Sequence, residues 1–206
     1  MLKRDLTFGV LAGLLIGIGG SIFLACDDKV VGAVLFSVAL LCICMRGFGL
    51  FTGKVGFLVT AHKKADVSGV LLALLGNLIG TAVSGYAIRF CFDAYARKAL
   101  AMCEAKLAQT IPETMIRAVL CGMLMYLAVV IYRENKSIAG IFFCVPVFIL
   151  AGFEHSIANM FYFAVSGIVS VEAFVYLWTV IIGNALGGML IPALSLLCKE
   201  KAEIKQ

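Results

Sequence analysis

Apolar runs of span length recur along the entire 206-residue chain, separated only by short charged groups. A helix needs about 20 apolar residues to cross the hydrocarbon layer of a bilayer. On that scale the runs fall over residues 6–25, 30–60, 67–92, 112–132, 138–166 and 171–197. Hydrophobic residues make up 63% of the chain and charged residues 14%, against roughly half and a quarter in a soluble domain. A single core in so short a chain cannot hide that much apolar surface from water. The chain is therefore expected to be one integral membrane domain, residues 1–206, with the lipid bilayer as its solvent and no nucleic-acid partner. The opening Met1-Leu2-Lys3-Arg4 ahead of an apolar stretch has the look of a cleavable signal. The run over 6–25 is long enough to span, however, and no small-x-small cleavage site follows it, so it reads as a first helix that stays.

Lys and Arg placement sets the expected orientation. Lys3, Arg4, His62, Lys63, Lys64, Arg133, Lys136, Lys199, Lys201 and Lys205 gather on one side. Asp27, Asp28, Lys29, an expected loop over 93–110 and the turn near Ser170 and Glu172 lie on the other. Arg97, Lys98 and Lys106 in that loop run against the bias. The balance still favours a multi-pass protein of the plasma (inner) membrane with both termini cytoplasmic and the Cys103 region outside. The start of the fourth run is the best marked: Thr110-Ile111-Pro112-Glu113 is a capping box with proline at an early helical position.

The second and fifth runs are too long for one straight crossing, and each is interrupted. Arg46-Gly47-Phe48-Gly49-Leu50-Phe51-Thr52-Gly53-Lys54 places three glycines and two cations in an apolar context, and Gly152-Phe153-Glu154-His155-Ser156 does the same with Pro146 upstream. Interruptions at corresponding places in two halves point to discontinuous helices around a midplane site. A second correspondence supports this, because Gly76-Asn77-Leu78-Ile79-Gly80 and Gly183-Asn184-Ala185-Leu186-Gly187 share one pattern, each downstream of a break. Two groups of three spans must be inverted relative to each other. The expected fold is thus all-α, with six transmembrane helices in two inverted three-helix repeats, about 6–92 and 111–198, joined by a linker over about 93–110.

An ionisable group inside a membrane costs several kcal/mol and is by default a functional hypothesis. Glu154 and His155 lie between apolar stretches, which makes them lumen candidates; the plainer role, a histidine bonded to a neighbouring helix carbonyl, stays open. Asn77 and Asn184 have a similar alternative, since amides also hold transmembrane helices together. A helix restarting at Ser156 would aim free amides and the positive end of its dipole at the break, and a half-helix starting near Gly53 would do the same. Phe36, Leu40, Phe48, Leu50, Phe51, Phe148 and Phe153 could form narrow apolar constrictions there. Eight cysteines with no CxxC pair, and two histidines, read as membrane-compatible packing, and neither a metal nor another cofactor is expected.

The stretch Ala151-Gly152-Phe153-Glu154-His155-Ser156-Ile157-Ala158-Asn159-Met160-Phe161 resembles the signature of the formate/nitrite transporter family. Leu50-Phe51-Thr52-Gly53 is similar to that family's other broken-helix motif, and the two Gly-Asn segments also match. The resemblance covers nearly the whole chain and implies an aquaporin-like arrangement in which His155 faces a pore. It further implies that Thr52 lies opposite, that Asn184 bonds near the histidine, and that constrictions fall on Phe36, Leu40, Leu50, Phe51 and Phe148. Lys106, ahead of the fourth span, would attract anions at the entrance, and the assembly would be a homopentamer with one pore per protomer. The chain departs from the pattern in three places. Few residues precede the first span where an amphipathic helix is usual, Gly122 stands where an asparagine is common, and Gly49 replaces an acidic residue, with Arg46 and Lys54 nearby.

The expected function is a channel or proton-coupled transporter for a small monovalent anion such as formate, nitrite or hydrosulfide, and not an enzyme. A bare ion in a dry constriction is prohibitively costly. Protonating a carboxylate of pKa about 4 at pH 7 needs only roughly 4 kcal/mol, so passage as the neutral acid is the cheaper route. A histidine, with an ordinary pKa of about 6.5, could share a proton with the solute. The alternative is a neutral-solute pore of the water or glycerol type, which would not need Glu154 and His155 at the break. A hydrolase using His155 with Ser156 or Ser166 is disfavoured, because no Gly-x-Ser-x-Gly motif occurs.

Overall fold

The computed structural model describes residues 2–61 and 63–203, with side chains as far as residue 198. His62 and Lys205, and the side chains of Lys199 and Lys201, therefore lie outside the described residues. Within them the chain is helical throughout and holds no strand. Its helices are α1 (Leu2–Ala25), α2 (Lys29–Arg46), α3 (Phe51–Lys54), α4 (Lys64–Cys91), α5 (Asp93–Leu107), α6 (Ile111–Asn135), α7 (Ala139–Leu150), α8 (Ser156–Ser166) and α9 (Val171–Glu203). A 3-10 segment, Val55–Thr60, continues α3.

The caps explain several of these boundaries. Asp28 starts α2 by accepting from the amides of Val30 and Val31 at 2.7 and 3.0 Å, which satisfies two of the free donors at a helix start. Thr110 starts α6 by accepting from the Glu113 amide at 3.4 Å, with Pro112 in the first turn. Only half of the expected capping box forms, because the Glu113 carboxylate turns outward and accepts from Arg117 at 2.7 and 3.1 Å.

Five helices, α1, α2, α4, α6 and α9, are long and apolar enough to cross a bilayer on their own. The fifth apolar run is split into α7 and α8, of 12 and 11 residues. The second run divides unevenly. Its first piece, α2, is already 18 residues long, and the chain resumes as a helix at Phe51 rather than near Gly53.

Most of the stretch over 93–110 is a 15-residue helix, not the loop expected of it. Ala99 and Cys103, one turn apart, are fully buried, and α5 packs mainly against α8, with further contacts to α4 and α1. Lys98 also pairs with Asp27 at 2.9 Å. A polar helix with only a narrow apolar strip gives a weak hydropathy signal, so in sequence it reads as a linker. The burial of Cys103 means that this thiol is not itself open to a reagent outside the membrane.

The internal repeat is visible bond by bond. Gly47 and Gly152 both adopt a left-handed backbone, with φ of 68° and 70°. The next amide then reaches back into the helix just ended: Phe48 N to Ile43 O at 3.0 Å, and Phe153 N to Phe148 O at 2.9 Å. Two residues on, the Gly49 amide donates to Phe8 O on α1 at 3.2 Å, and the Glu154 amide to Arg117 O on α6 at 3.3 Å. Residues 43–51 thus map onto 148–156 position by position. The long helices follow suit, α1 packing along α4 as α6 packs along α9. At Gly13 a Cβ would collide with Asn77 O, and at its counterpart Gly122 with Asn184 O, so both crossings require the absence of a side chain. Arg4 on α1, Asp66 on α4 and Arg133 at the end of α6 line one cavity. The N-terminal end of the first repeat therefore lies beside the C-terminal end of α6, which is the inversion expected from two odd-numbered repeats.

Candidate transport site

Each break is held open by one asparagine. Asn77 Oδ1 accepts from the Phe51 amide at 2.9 Å, while its Nδ2 donates to Gly49 O and Gly9 O, both at 2.8 Å. Asn184 Oδ1 accepts from the Ser156 amide at 2.8 Å, and its Nδ2 donates to Glu154 O and Ala118 O, again at 2.8 Å. Both side chains are fully buried. A helix broken in an apolar interior leaves peptide groups that water cannot reach, and each unsatisfied one costs about 1–3 kcal/mol. One amide side chain satisfies three of them. Asn184 therefore does not bond the His155 ring; it fixes the peptide groups on either side of it.

The residue between those groups is His155, only 2% exposed. Its Nδ1 accepts from the Ala158 amide at 3.0 Å, so the imidazole is itself the N-cap of α8. Its Nε2 lies 2.9 Å from Thr52 Oγ1, in the first turn of α3. With the Nδ1 lone pair committed to a backbone donor, a neutral ring carries its hydrogen on Nε2 and donates it to Thr52. The two breaks thus meet through one side-chain hydrogen bond in a site closed to solvent. Phe148 on α7 stacks on the imidazole, centroids 5.4 Å apart at 23°, and Phe36 on α2 meets Phe148 edge-on at 6.3 Å.

On one side of this junction a cavity of about 770 Å³ reaches inward as far as Leu40, Leu50 and Gly53. Leu40, Leu50 and Phe51 are buried, and Leu40 and Leu50 are part of the cavity wall. Phe148 stands beside the ring, with Phe36 behind it. On the other side, Glu154 is 2% exposed. Its Oε1 accepts from Gln109 Nε2 at 2.9 Å, and its Oε2 from Asn159 Nδ2 at 2.9 Å and from Lys106 Nζ. Asn159 also donates to the Tyr176 hydroxyl at 3.3 Å. The Lys106 charge is therefore balanced by Glu154. Gln109, Asn159 and Tyr176 are not among the residues that the sequence singles out. Asn159 had a signal, since it sits in the same motif as Glu154 and a little over one turn away, but Gln109 and Tyr176 reach the carboxylate only through tertiary packing. The imidazole bonds neither Ser156 nor Ser166: the Ser156 hydroxyl has no partner, and that of Ser166 donates to Phe163 O at 2.9 Å.

The Formate/nitrite transporter family model matches residues 2–198, the stretch that holds the broken helices, both asparagine clamps and the capping histidine. The chain belongs to the formate/nitrite transporter family. It is accordingly a multi-pass membrane protein of a transporter family. Among curated formate/nitrite transporter relatives, a formate-nitrite transporter of Plasmodium ovale is 28% identical over 185 residues, covering 77% of this chain and 59% of that protein. The nitrite transporter NirC of Escherichia coli (strain K12) is 31% identical over 150 residues, covering 66% of this chain and 56% of NirC. The chain thus spans well under two thirds of the length of these two relatives. In fold it is similar to a solved pentameric formate channel with formate bound, with a TM-score of 0.82 at 24% identity over 97% of both chains. Against the family pattern, Gly122 is accounted for by the α6–α9 crossing, where the Asn184 backbone occupies the room that a side chain would need.

Proposed function

We propose that the protein is a channel or proton-coupled transporter for small monovalent anions of the formate, nitrite or hydrosulfide type, rather than an enzyme. It would work as a homopentamer in the plasma membrane, with one pore per protomer and both termini cytoplasmic. The observation that carries this reading is the Thr52–His155 bond joining two clamped helix breaks in an otherwise apolar interior. An anion arriving there would take the place of Thr52 as acceptor of the Nε2–H, near the positive end of the α8 dipole, whose Ser156 and Ala158 amides are already bonded to Asn184 and His155. The neutral ring can lend a hydrogen bond but not the whole proton, since losing it would leave an imidazolate. Full transfer needs a second proton on Nδ1, which must first displace the Ala158 amide. The geometry therefore favours a solute that brings its proton from the vestibule, or an imidazolium that forms only while the α8 cap opens. Either way the species crossing the constriction is the neutral acid, in keeping with the cost of a bare ion.

Reconstituted liposomes test this directly. Formate, nitrite and hydrosulfide should be taken up faster than in empty vesicles, with glycerol at the background rate. Glycerol passage with no anion passage would replace this reading by a neutral-solute pore.

A further inference from the structure

The internal repeat shows where the two mouths differ. Gly49 maps onto Glu154 and Lys54 onto Asn159. In the second repeat the carboxylate of Glu154 gathers Asn159, Gln109 and Lys106, so the cation at that mouth is neutralised. In the first repeat the carboxylate is missing and the position of Asn159 is a lysine. Lys54, the last residue of α3, is half-buried in the wall of the 770 Å³ cavity, two residues beyond Thr52. Among the described residues the ion pairs are Lys98–Asp27, Lys106–Glu154 and Arg117–Glu113, so Lys54 has no acidic partner there. The same cavity is lined by Arg4 and Arg133, which sit over the rings of Phe8 and Phe57 at 5.2 and 4.2 Å, and by Asp5 and Asp66. The Asp5 carboxylate lies against Gly69 on α4. At the opposite end, the cavity of about 250 Å³ beside Gln109 and Tyr176 has Glu172 as its one charged lining residue among the described residues.

We propose that Lys54 is an anion-docking residue that makes the pore electrostatically one-sided, loading monovalent anions from the α1/α4 mouth at lower concentration than from the mouth of Lys106. A cation in a partly desolvated concave wall raises the local anion concentration, and here it does so in the cavity that Leu40, Leu50 and Gly53 also line, two residues from Thr52. This rests on the reading that the chain passes small anions. With no gradient of proton or potential, detailed balance holds Vmax/KM equal in the two directions. The mouth with the lower half-saturation must therefore also show the lower maximal rate.

The test is zero-trans isotope flux of formate into and out of proteoliposomes, with protein sidedness fixed by labelling. In the wild type, half-saturation from the Lys54 mouth should be about two- to fivefold lower, the range of an exposed ion pair. It should rise with ionic strength there and stay flat at the other mouth. Lys54→Gln should remove the difference, and Lys54→Arg should keep it. Equal half-saturation from both sides, or a Lys54→Gln change that moves both sides alike, overturns the proposal while leaving anion passage intact. Absence of formate flux in the wild type overturns the underlying reading instead. The salt dependence needs no variant, so a poorly folding Lys54→Gln protein leaves the proposal decidable.

Discussion

His155 does two jobs with its two nitrogens, and substitutions separate them. His155→Phe removes both the Ala158 cap and the Thr52 bond, so flux should be lost together with some stability, a lost N-cap costing about 1 kcal/mol. His155→Asn retains a side chain that can cap a helix but has no titratable proton. Formate flux in the wild type should rise as external pH falls from about 8 to 5, because the neutral acid increases tenfold per unit above its pKa. The substrate part of that rise is common to both proteins. A histidine contribution would appear as a difference between their profiles within that range, and superimposable normalised profiles would restrict His155 to capping and hydrogen bonding. Thr52→Val keeps the shape but leaves the Nε2–H without its acceptor. It should cut flux severalfold in liposomes, and normal flux from a folded Val variant would assign Thr52 to packing.

The breaks behave as elements because at each one a single asparagine satisfies three buried peptide groups. Asn184→Leu strands the Ser156 amide and the carbonyls of Glu154 and Ala118 together. As a polar residue of a narrow lumen, Asn184 would be expected to matter more to flux than to stability; with three buried backbone groups released, both should fall. Asn77→Leu should behave in parallel, since its three partners occupy the equivalent places. Thermal unfolding in detergent measures this, and an unchanged midpoint in either variant would mean that its break is held by other contacts. The breaks were legible in the sequence because ionisable residues are costly inside a spanning segment and here stand beside glycines, whereas glycines alone, as at Gly17, Gly19 and Gly20, leave α1 unbroken. The paired Gly-Asn segments gave away the repeat. The helix α5 was not legible, since its apolar strip is only wide enough to bury Ala99 and Cys103. The Glu154 network was hidden for a related reason: Lys106, Gln109 and Tyr176 come from elements whose relative placement no local pattern encodes.

For the whole molecule, native mass spectrometry in mild detergent should show five copies, and another symmetry would separate this chain from the pentameric fold relative. Topology is better probed at Glu104, exposed on α5, than at buried Cys103. In a single-cysteine series, a cysteine at Glu104 should react with an impermeant reagent from outside the cell, and one at Lys64 only after permeabilisation. Reversal at both positions would invert the assignment. The two repeats are alike in their bonds but not self-sufficient, because α5 lies between them in sequence and supplies Lys106 to the second. If the protein were expressed as two separate polypeptides, the position of the cut would matter. A cut before Asp93 sends Lys106 along with its partner Glu154, whereas a cut after Ala108 leaves it on the other fragment, where the ion pair must form between chains. The segment that joins the halves in sequence is at the same time a component of the second half, so the two halves are not interchangeable.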